Sequence, residues 1–184
     1  MGHRFLMRKT TADLILRPRR PADDGFIYRL SDRLFAPYSR HPTGSMASML
    51  AERGALAFVA EVEAEVARGR RDGGAAETPA PAGFIVLGFE RLARSFGPWQ
   101  RPALARLNAI GVQPDLHGRG VGRFLLDRAE ALAREAGAVS LTLMTAETNA
   151  RARRLFVAGG FQALFTLDQA YARGQRGIVM TKAL

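Results

Sequence analysis

The stretch that most constrains what this chain can fold into is Leu107–Leu126, LNAIGVQPDLHGRGVGRFLL. It begins apolar, as a buried strand does, with Leu107, Ala109, Ile110 and Val112. Pro114 stops it, because proline has no N–H for a sheet ladder. Gly118, Gly120 and Gly122 come at alternate positions, and an apolar helix-forming run is next. Strand, glycine turn and helix start, in that order, make an anion site. The glycines let backbone approach a ligand, and the first helical N–H groups have no partner within the helix. The helix dipole adds partial positive charge that a phosphate can accept. With a strand on either side, the helix also makes a βαβ unit, which predicts that those two strands run parallel.

Two common phosphate grips are excluded by the residues after the glycines. A P-loop needs Gly-Lys-Ser/Thr, and Gly122 is succeeded by Arg123 and Phe124. A GxGxxG fingerprint counted from Gly118 needs glycine where the chain has Arg123. The spacing Val112, Pro114, then His117-Gly118-Arg119-Gly120-Val121-Gly122 instead resembles the acyl-CoA signature of the GNAT superfamily of N-acyltransferases. One residue departs: His117 stands where Arg or Gln is usual. A second signature of that family comes later in order and at the usual spacing, as Asn149, Ala152, Leu155-Phe156 and Gly160-Phe161. The resemblance therefore runs from about Leu107 to Phe161, and the closing Val179-Met180-x-Lys182 looks like the family too.

The resemblance implies an α/β fold with a central, mostly antiparallel mixed sheet and about four helices. In it a parallel strand pair splays apart at the cofactor site. It implies acetyl-CoA (coenzyme A) as the cofactor and direct transfer of an acetyl group to a primary amine of a small molecule, peptide or protein. On that reading Ile110, Gly111 and Val112 receive the pantetheine arm. His117, Gly118, Arg119, Gly120, Val121 and Gly122 take the pyrophosphate, with Arg119 and Arg123 adding charge. Asn149 hydrogen-bonds the pantetheine, or caps the last helix, and Ala152 and Phe156 belong to the same set.

Acyl transfer needs a destination for the amine's proton, N–H donors for the carbonyl oxygen, and a proton or dipole for the departing thiolate. At Phe156 the family often has a tyrosine that protonates the thiolate, which phenylalanine cannot do. Either Tyr171 or water donates instead, or the thiolate leaves unprotonated, or catalysis is slow; Tyr171 also reads as a half-buried ring near the C-terminal strands. Asn108, on the strand before the turn, cannot act as a base but can orient a water or a substrate. Glu147 and Glu90 lie near strand ends as base candidates, and Glu147 also reads as a helix-start acid. His41 sits in a proline-bounded loop, where a base and a plain loop histidine are both open. His3 reads as terminus.

The 184 residues suffice for one domain with a core, read here as a single unit over 1–184. Its cofactor half is expected at about 103–167, with a mobile loop at about 68–82. The absence of cysteine excludes disulfides, thiolate metal sites and a cysteine nucleophile, and no metal is expected. The net charge of +10 comes almost wholly from arginine, since Lys9 and Lys182 are the only lysines. A basic chain attracts polyanions. Coenzyme A satisfies that with fewer assumptions than nucleic acid, for which no aromatic stacking platform is evident. The first residues lack a signal peptide's apolar run, and no segment approaches a membrane span, so a cytoplasmic location is expected. A homodimer is compatible with the family, but no interface can be read.

In chain order, Ala12–Arg17 reads as a strand ended by Pro18. Asp23 and Asp24 fit an N-cap and first turn, opening a helix from Gly25 to about Phe35. Pro37 and Pro42 break the chain before a second helix capped by Thr43 or Ser45 and ended by Gly54. Leu56–Val66 alternates as a strand with one wet face. Arg68–Ala82 reads as loop, Phe84–Phe89 as a strand, and Glu90–Arg101 as irregular. Ala103–Val112 is the strand before the glycines. Gly120–Ala136 is a helix with Val121, Leu125, Ala129, Leu132 and Ala136 on one face, ended by Gly137. Val139–Met144 is a strand and Asn149–Ala158 a helix. Phe161–Leu167 and Gly177–Lys182 close the sheet. The expected function is an acetyl-CoA-dependent N-acetyltransferase. The alternative is a catalytically weak or inactive acyl-CoA-binding regulator with the same fold, motivated by Phe156 and the lack of an evident base.

Overall fold

The computed structural model describes residues 14–62, 79–93 and 103–184. Its elements in order are β1 (Leu14–Pro18), α1 (Asp24–Phe35), α2 (Pro42–Ala51), β2 (Leu56–Val62), β3 (Ala80–Arg91), β4 (Ala103–Val112), α3 (Val121–Glu135), β5 (Ala138–Ala146), α4 (Ala150–Ala158), β6 (Gln162–Leu167) and β7 (Gly177–Ala183). The strands form one sheet in the order β1-β2-β3-β4-β5-β7-β6. β4 and β5 are parallel, as a helical crossover through α3 requires, and the other neighbours are antiparallel.

Helices cover both faces of the sheet. On one side α1 and α2 bring Ile27, Leu30 and Met46 onto Val59, Phe84, Val86 and Ala109. On the other, Leu125, Leu126 and Ala129 of α3 and Phe156 of α4 pack against Ile85, Leu87, Leu107 and Leu143. β3 thus buries successive side chains into opposite cores. That is why its FIVL run is continuous rather than alternating. Each such side chain is worth roughly 1.5–3 kcal/mol of apolar burial.

Several expectations are corrected by this layering. β2 has no wholly wet face: Val59 and Ala60 are both buried, one in each core, because both helical layers reach this strand. β3 begins at Ala80 and runs to Arg91, so Ala80–Ala82 are not loop and Glu90 is not irregular. Pro42 does not break the chain before α2. It occupies the first turn of the helix behind His41, where a missing N–H costs nothing. Asp23 holds the N-cap position and Asp24 the first turn as expected, but the Asp23 side chain makes no cap to α1. Instead it accepts from Arg17 at 2.7 and 2.8 Å and from the Arg20 N–H at 2.6 Å. Along α3 the buried set is Val121, Leu125, Leu126, Ala129, Glu130 and Ala133, with Leu132 partly buried against the same core, whereas Ala136 is exposed past the helix end. Gly137 succeeds the helix at φ +75°, as a left-handed stop does. The outer ends expected for the first two strands, the loop over 68–78, Trp99 and His3 lie outside the described residues. No helix among the described residues is long and apolar enough to cross a membrane.

Candidate functional site

The site begins where the parallel ladder stops. β4 and β5 pair from Ala103↔Ala138 to Leu107↔Leu143 and no further. Beyond that point Asn108–Val112 runs beside β3 alone and Met144–Ala146 beside β7 alone. A wedge opens between them, and a cleft of about 530 Å³ occupies it. Asn108 marks the parting. The β3 ladder steps from Val86↔Ala109 to Leu87↔Leu107, leaving Asn108 as the extra residue of a bulge.

The glycine turn closes the far end of β4. Gly118 and Gly120 hold φ of +74° and +88°, left-handed values that side chains disfavour. Gly120 is the N-cap of α3, and no side chain caps that end. The first N–H groups of a helix have no partner inside it, so those of Val121, Gly122 and Arg123 are available to an anion. His117 approaches the Val112 carbonyl through Nε2 at 3.0 Å. A carbonyl only accepts, so Nε2 carries the proton and Nδ1 presents its lone pair to the Arg151 guanidinium. The Arg123 guanidinium is engaged away from the turn, with Asp127 at 2.8 Å and the Ala158 carbonyl at 2.9 Å. What Arg123 offers the turn is its backbone N–H. Arg119 is exposed on the turn itself.

α4 forms the opposite wall. Asn149 is its N-cap, with Oδ1 accepting from the Ala152 N–H at 3.2 Å. This is the capping role that sequence left open beside ligand binding, and its amide NH₂ stays available. Ala152 and Phe156 lie four residues apart on one face and line the cleft. Phe156 is 3% exposed and packs against Phe161 at 6.0 Å between ring centroids. On β4, Ile110 lines the cleft, whereas Gly111 is buried against Phe84.

Of the residues expected to serve catalysis, Asn108 and Tyr171 both line the cleft and Glu147 does not. The Glu147 carboxylate pairs with Arg176 at 2.8 and 3.0 Å on the surface. Tyr171 donates its hydroxyl to the Met144 carbonyl at 3.0 Å and sets its ring edge-on to Tyr38. Burial pushes its pKa up to about 12, so the phenol keeps its proton at neutral pH. Glu90 and His41 do not line the cleft.

A strap closes one side of the cleft. The Ala172 N–H donates to the Tyr38 carbonyl at 2.9 Å, and Gln175 Nε2 donates to the Pro37 carbonyl at 2.7 Å. The loop before β7 is thereby tied to the loop between α1 and α2. Sequence reasoning gave no site role to the residues on one side of the cleft: Phe35, Tyr38, Met46, Met49, Glu52 and Arg106. A signal did exist for Arg106, a charged residue inside an apolar strand. Glu52 carried none, since one glutamate near a helix end is unremarkable.

Comparison with known proteins fits this geometry. The Arabidopsis thaliana NAA60 structure in complex with acetyl-CoA aligns with a TM-score of 0.73 at 16% identity, covering 93% of this chain and 98% of that one. The ribosomal-protein-S18-alanine N-acetyltransferase of Escherichia coli aligns with a TM-score of 0.63 at 20% identity, covering 92% and 93%. A GCN5-related N-acetyltransferase from Kribbella flavida aligns with a TM-score of 0.66 at 22% identity, covering 95% and 100%. At such identities the likeness establishes the fold alone. No curated protein sequence matches the chain. The family model described as Acetyltransferase (GNAT) family spans residues 27–161, taking in both helical layers, the glycine turn and the α4 wall, and the chain belongs to that family.

Proposed function

We propose that the protein transfers an acetyl group from acetyl-CoA directly to a primary amine, using residues 1–184 as one catalytic domain. The observation that carries this is the parting of β4 from β5 just past Leu107, on the strand that leads into the uncapped N-terminus of α3. An open strand edge suits the two amides of a pantetheine arm, and unpaired helical N–H groups suit a diphosphate. These residues fit acetyl-CoA. Ile110–Val112 hold the arm and His117–Gly122 hold the diphosphate. Asn149, Ala152 and Phe156 form the facing wall.

When bound, acetyl-CoA supplies an activated acyl carbon. One C–N bond forms and one C–S bond breaks, while an acceptor that arrives as ammonium gives up two protons. One proton leaves to solvent and the other ends on the thiol sulfur. Phe156 cannot deliver it. Tyr171 lines the cleft, and on this reading its hydroxyl turns from the Met144 carbonyl to steady the sulfur. Backbone N–H groups beyond Leu107 are the donors for the carbonyl oxygen. The Escherichia coli neighbour is an alanine N-acetyltransferase of a ribosomal protein. That likeness and the strap over the cleft favour an amine at the end of a slender chain, such as a peptide N-terminus, as the acceptor.

The test is thiol release from acetyl-CoA with a panel of short free-amine peptides, Nα-blocked lysine and arylalkylamines, beside calorimetry of acetyl-CoA. Amine-dependent thiol release establishes the enzyme. Acetyl-CoA binding with no turnover across the panel replaces it with an acyl-CoA-binding regulator of the same fold, which the missing hydroxyl at Phe156 would then explain. Neither binding nor turnover sinks both.

A further inference from the structure

We propose that Glu52 is the acceptor-binding residue: its carboxylate holds the incoming ammonium and takes the first of its two protons, passing it to water at the exposed mouth. This rests on the acetyltransferase reading above. Among the described residues lining the cleft, Glu52 is the one carboxylate and Arg106 the one cation. Glu52 ends α2, and its own backbone leaves the helix at φ −58° and ψ 131°. The chain end of α2 thus meets β4. Glu52 Oε1 accepts from Arg106 Nη2 at 2.8 Å and Oε2 accepts from Asn108 Nδ2 at 3.1 Å, while Asn108 Oδ1 accepts from Arg106 Nε at 2.6 Å.

This cluster sits at the first residue past the last β4–β5 pair, where the strands part. Gly88 on β3 leaves room for it: a Cβ there would come within 3.0 Å of Asn108 Nδ2 and 3.5 Å of Glu52 Oε1. Stability does not account for the arrangement. The Glu52 and Arg106 side chains are 41% and 56% exposed, and ion pairs so exposed contribute only about 0–1 kcal/mol. An ionised carboxylate offers about four acceptor positions, and two are filled, leaving two for the N–H groups of an ammonium. Arg106 and Asn108 hold the two carboxylate oxygens at a fixed angle, so a cation reaching the wedge meets an oriented negative charge.

The experiment compares wild type with Glu52→Gln, which keeps size and an acceptor oxygen but removes the charge. It uses the amine of the panel turned over fastest, and that amine's hydroxy analogue as a competitive inhibitor. The expected result is a KM for the amine raised about tenfold or more, an acetyl-CoA Kd within about twofold of wild type, and partial rescue by Glu52→Asp. The wild-type preference for amine over hydroxy analogue should vanish in Glu52→Gln. Wild-type turnover with amine KM and amine preference unchanged in Glu52→Gln overturns the assignment while leaving the acetyltransferase intact. No wild-type turnover at all overturns both. Gly88→Ala is the second variant: it crowds the cluster from below without touching the charge, and the proposal expects a raised amine KM there as well.

Discussion

Leu107 and Leu143 are the last residues paired across the parallel seam of the sheet. Both are buried, so the seam is anchored in the core up to the point where it opens. Just past it, Gly111 lies where a Cβ would come within 2.6 Å of Phe84 Cε1. Phe84 is fully buried under α1 and α2 and cannot swing away. Gly111→Ala should therefore cost about 1–3 kcal/mol by overpacking. It should also weaken acetyl-CoA binding, because relief comes most easily by moving β4 into the wedge. Urea melts and calorimetry on the same sample read both effects, and a destabilised variant with unchanged affinity would show that this stretch of β4 does not meet the ligand.

Gly120 carries the turn at φ +88° and caps α3 without a side chain. Gly120→Glu should abolish acetyl-CoA binding, since a carboxylate there crowds and repels a diphosphate. Gly120→Asn separates charge from strain, because asparagine tolerates left-handed backbone. It should stay folded and lose only about tenfold in affinity or less. Equal affinity of Gly120→Glu and wild type in calorimetry would remove the diphosphate from this turn.

Phe156→Tyr tests the proton on sulfur. The ring is buried and lines the cleft, so a para hydroxyl reaches either the cleft or the Phe161 side of the core. Acetyl-CoA affinity should stay within about threefold. If proton donation limits the rate, kcat should rise with KM for the amine unchanged. An unchanged kcat would place the limiting step elsewhere, in amine deprotonation or product release.

The cofactor half of the fold is legible in the sequence because its constraints are local. A proline, three glycines and a capping asparagine each fix one backbone event within a few residues, and the two apolar runs beside the α3 helix force a crossover. The acceptor half is different. Glu52 and Asn108 stand 56 positions apart and meet only through tertiary packing of α2 on the sheet. Arg106 stands out as a charge inside an apolar strand, but nothing local says what it faces until that packing places a carboxylate beside it. Glu147 illustrates the converse, a carboxylate at a suggestive strand end that a surface arginine claims. β2 fails as a half-wet strand because periodicity reports alternation, not how far a helical layer extends over the sheet.

Asp23 makes the fold acid-sensitive. Hydrogen bonds from the Arg17 guanidinium, aided by the Arg20 N–H and against the pull of burial, lower its carboxyl from 3.8 to about 2. A carboxyl held below its unfolded value stabilises the fold fully above about pH 4. That contribution is lost as pH falls through about 2. Asp23→Asn should cost on the order of 1–2 kcal/mol at neutral pH and flatten the loss of stability between about pH 4 and 2. Thermal melts across that range check it, and parallel curves for variant and wild type would show that another carboxyl controls the acid limb.

Lys182 reaches from β7 to Glu130 on α3, with Nζ 2.6 Å from Oε2 and 2.8 Å from the Gly159 carbonyl. Glu130 is 5% exposed, and its Oε1 is buried with no hydrogen-bond partner among the described residues. Arg134, half-exposed and 3.6 Å away, compensates little. Lys182→Met should therefore cost about 3 kcal/mol or more by stranding a buried carboxylate. Glu130→Leu should cost less, about 1–2 kcal/mol, because Lys182 is partly exposed and can turn to water. The double variant, with apolar side chains filling the same space, should recover most of the Lys182→Met loss. Urea unfolding of all four proteins closes the cycle. A double variant as unstable as the sum of the singles would show that the lysine and the glutamate stabilise the fold independently, through the Gly159 carbonyl and through helix packing, rather than through each other.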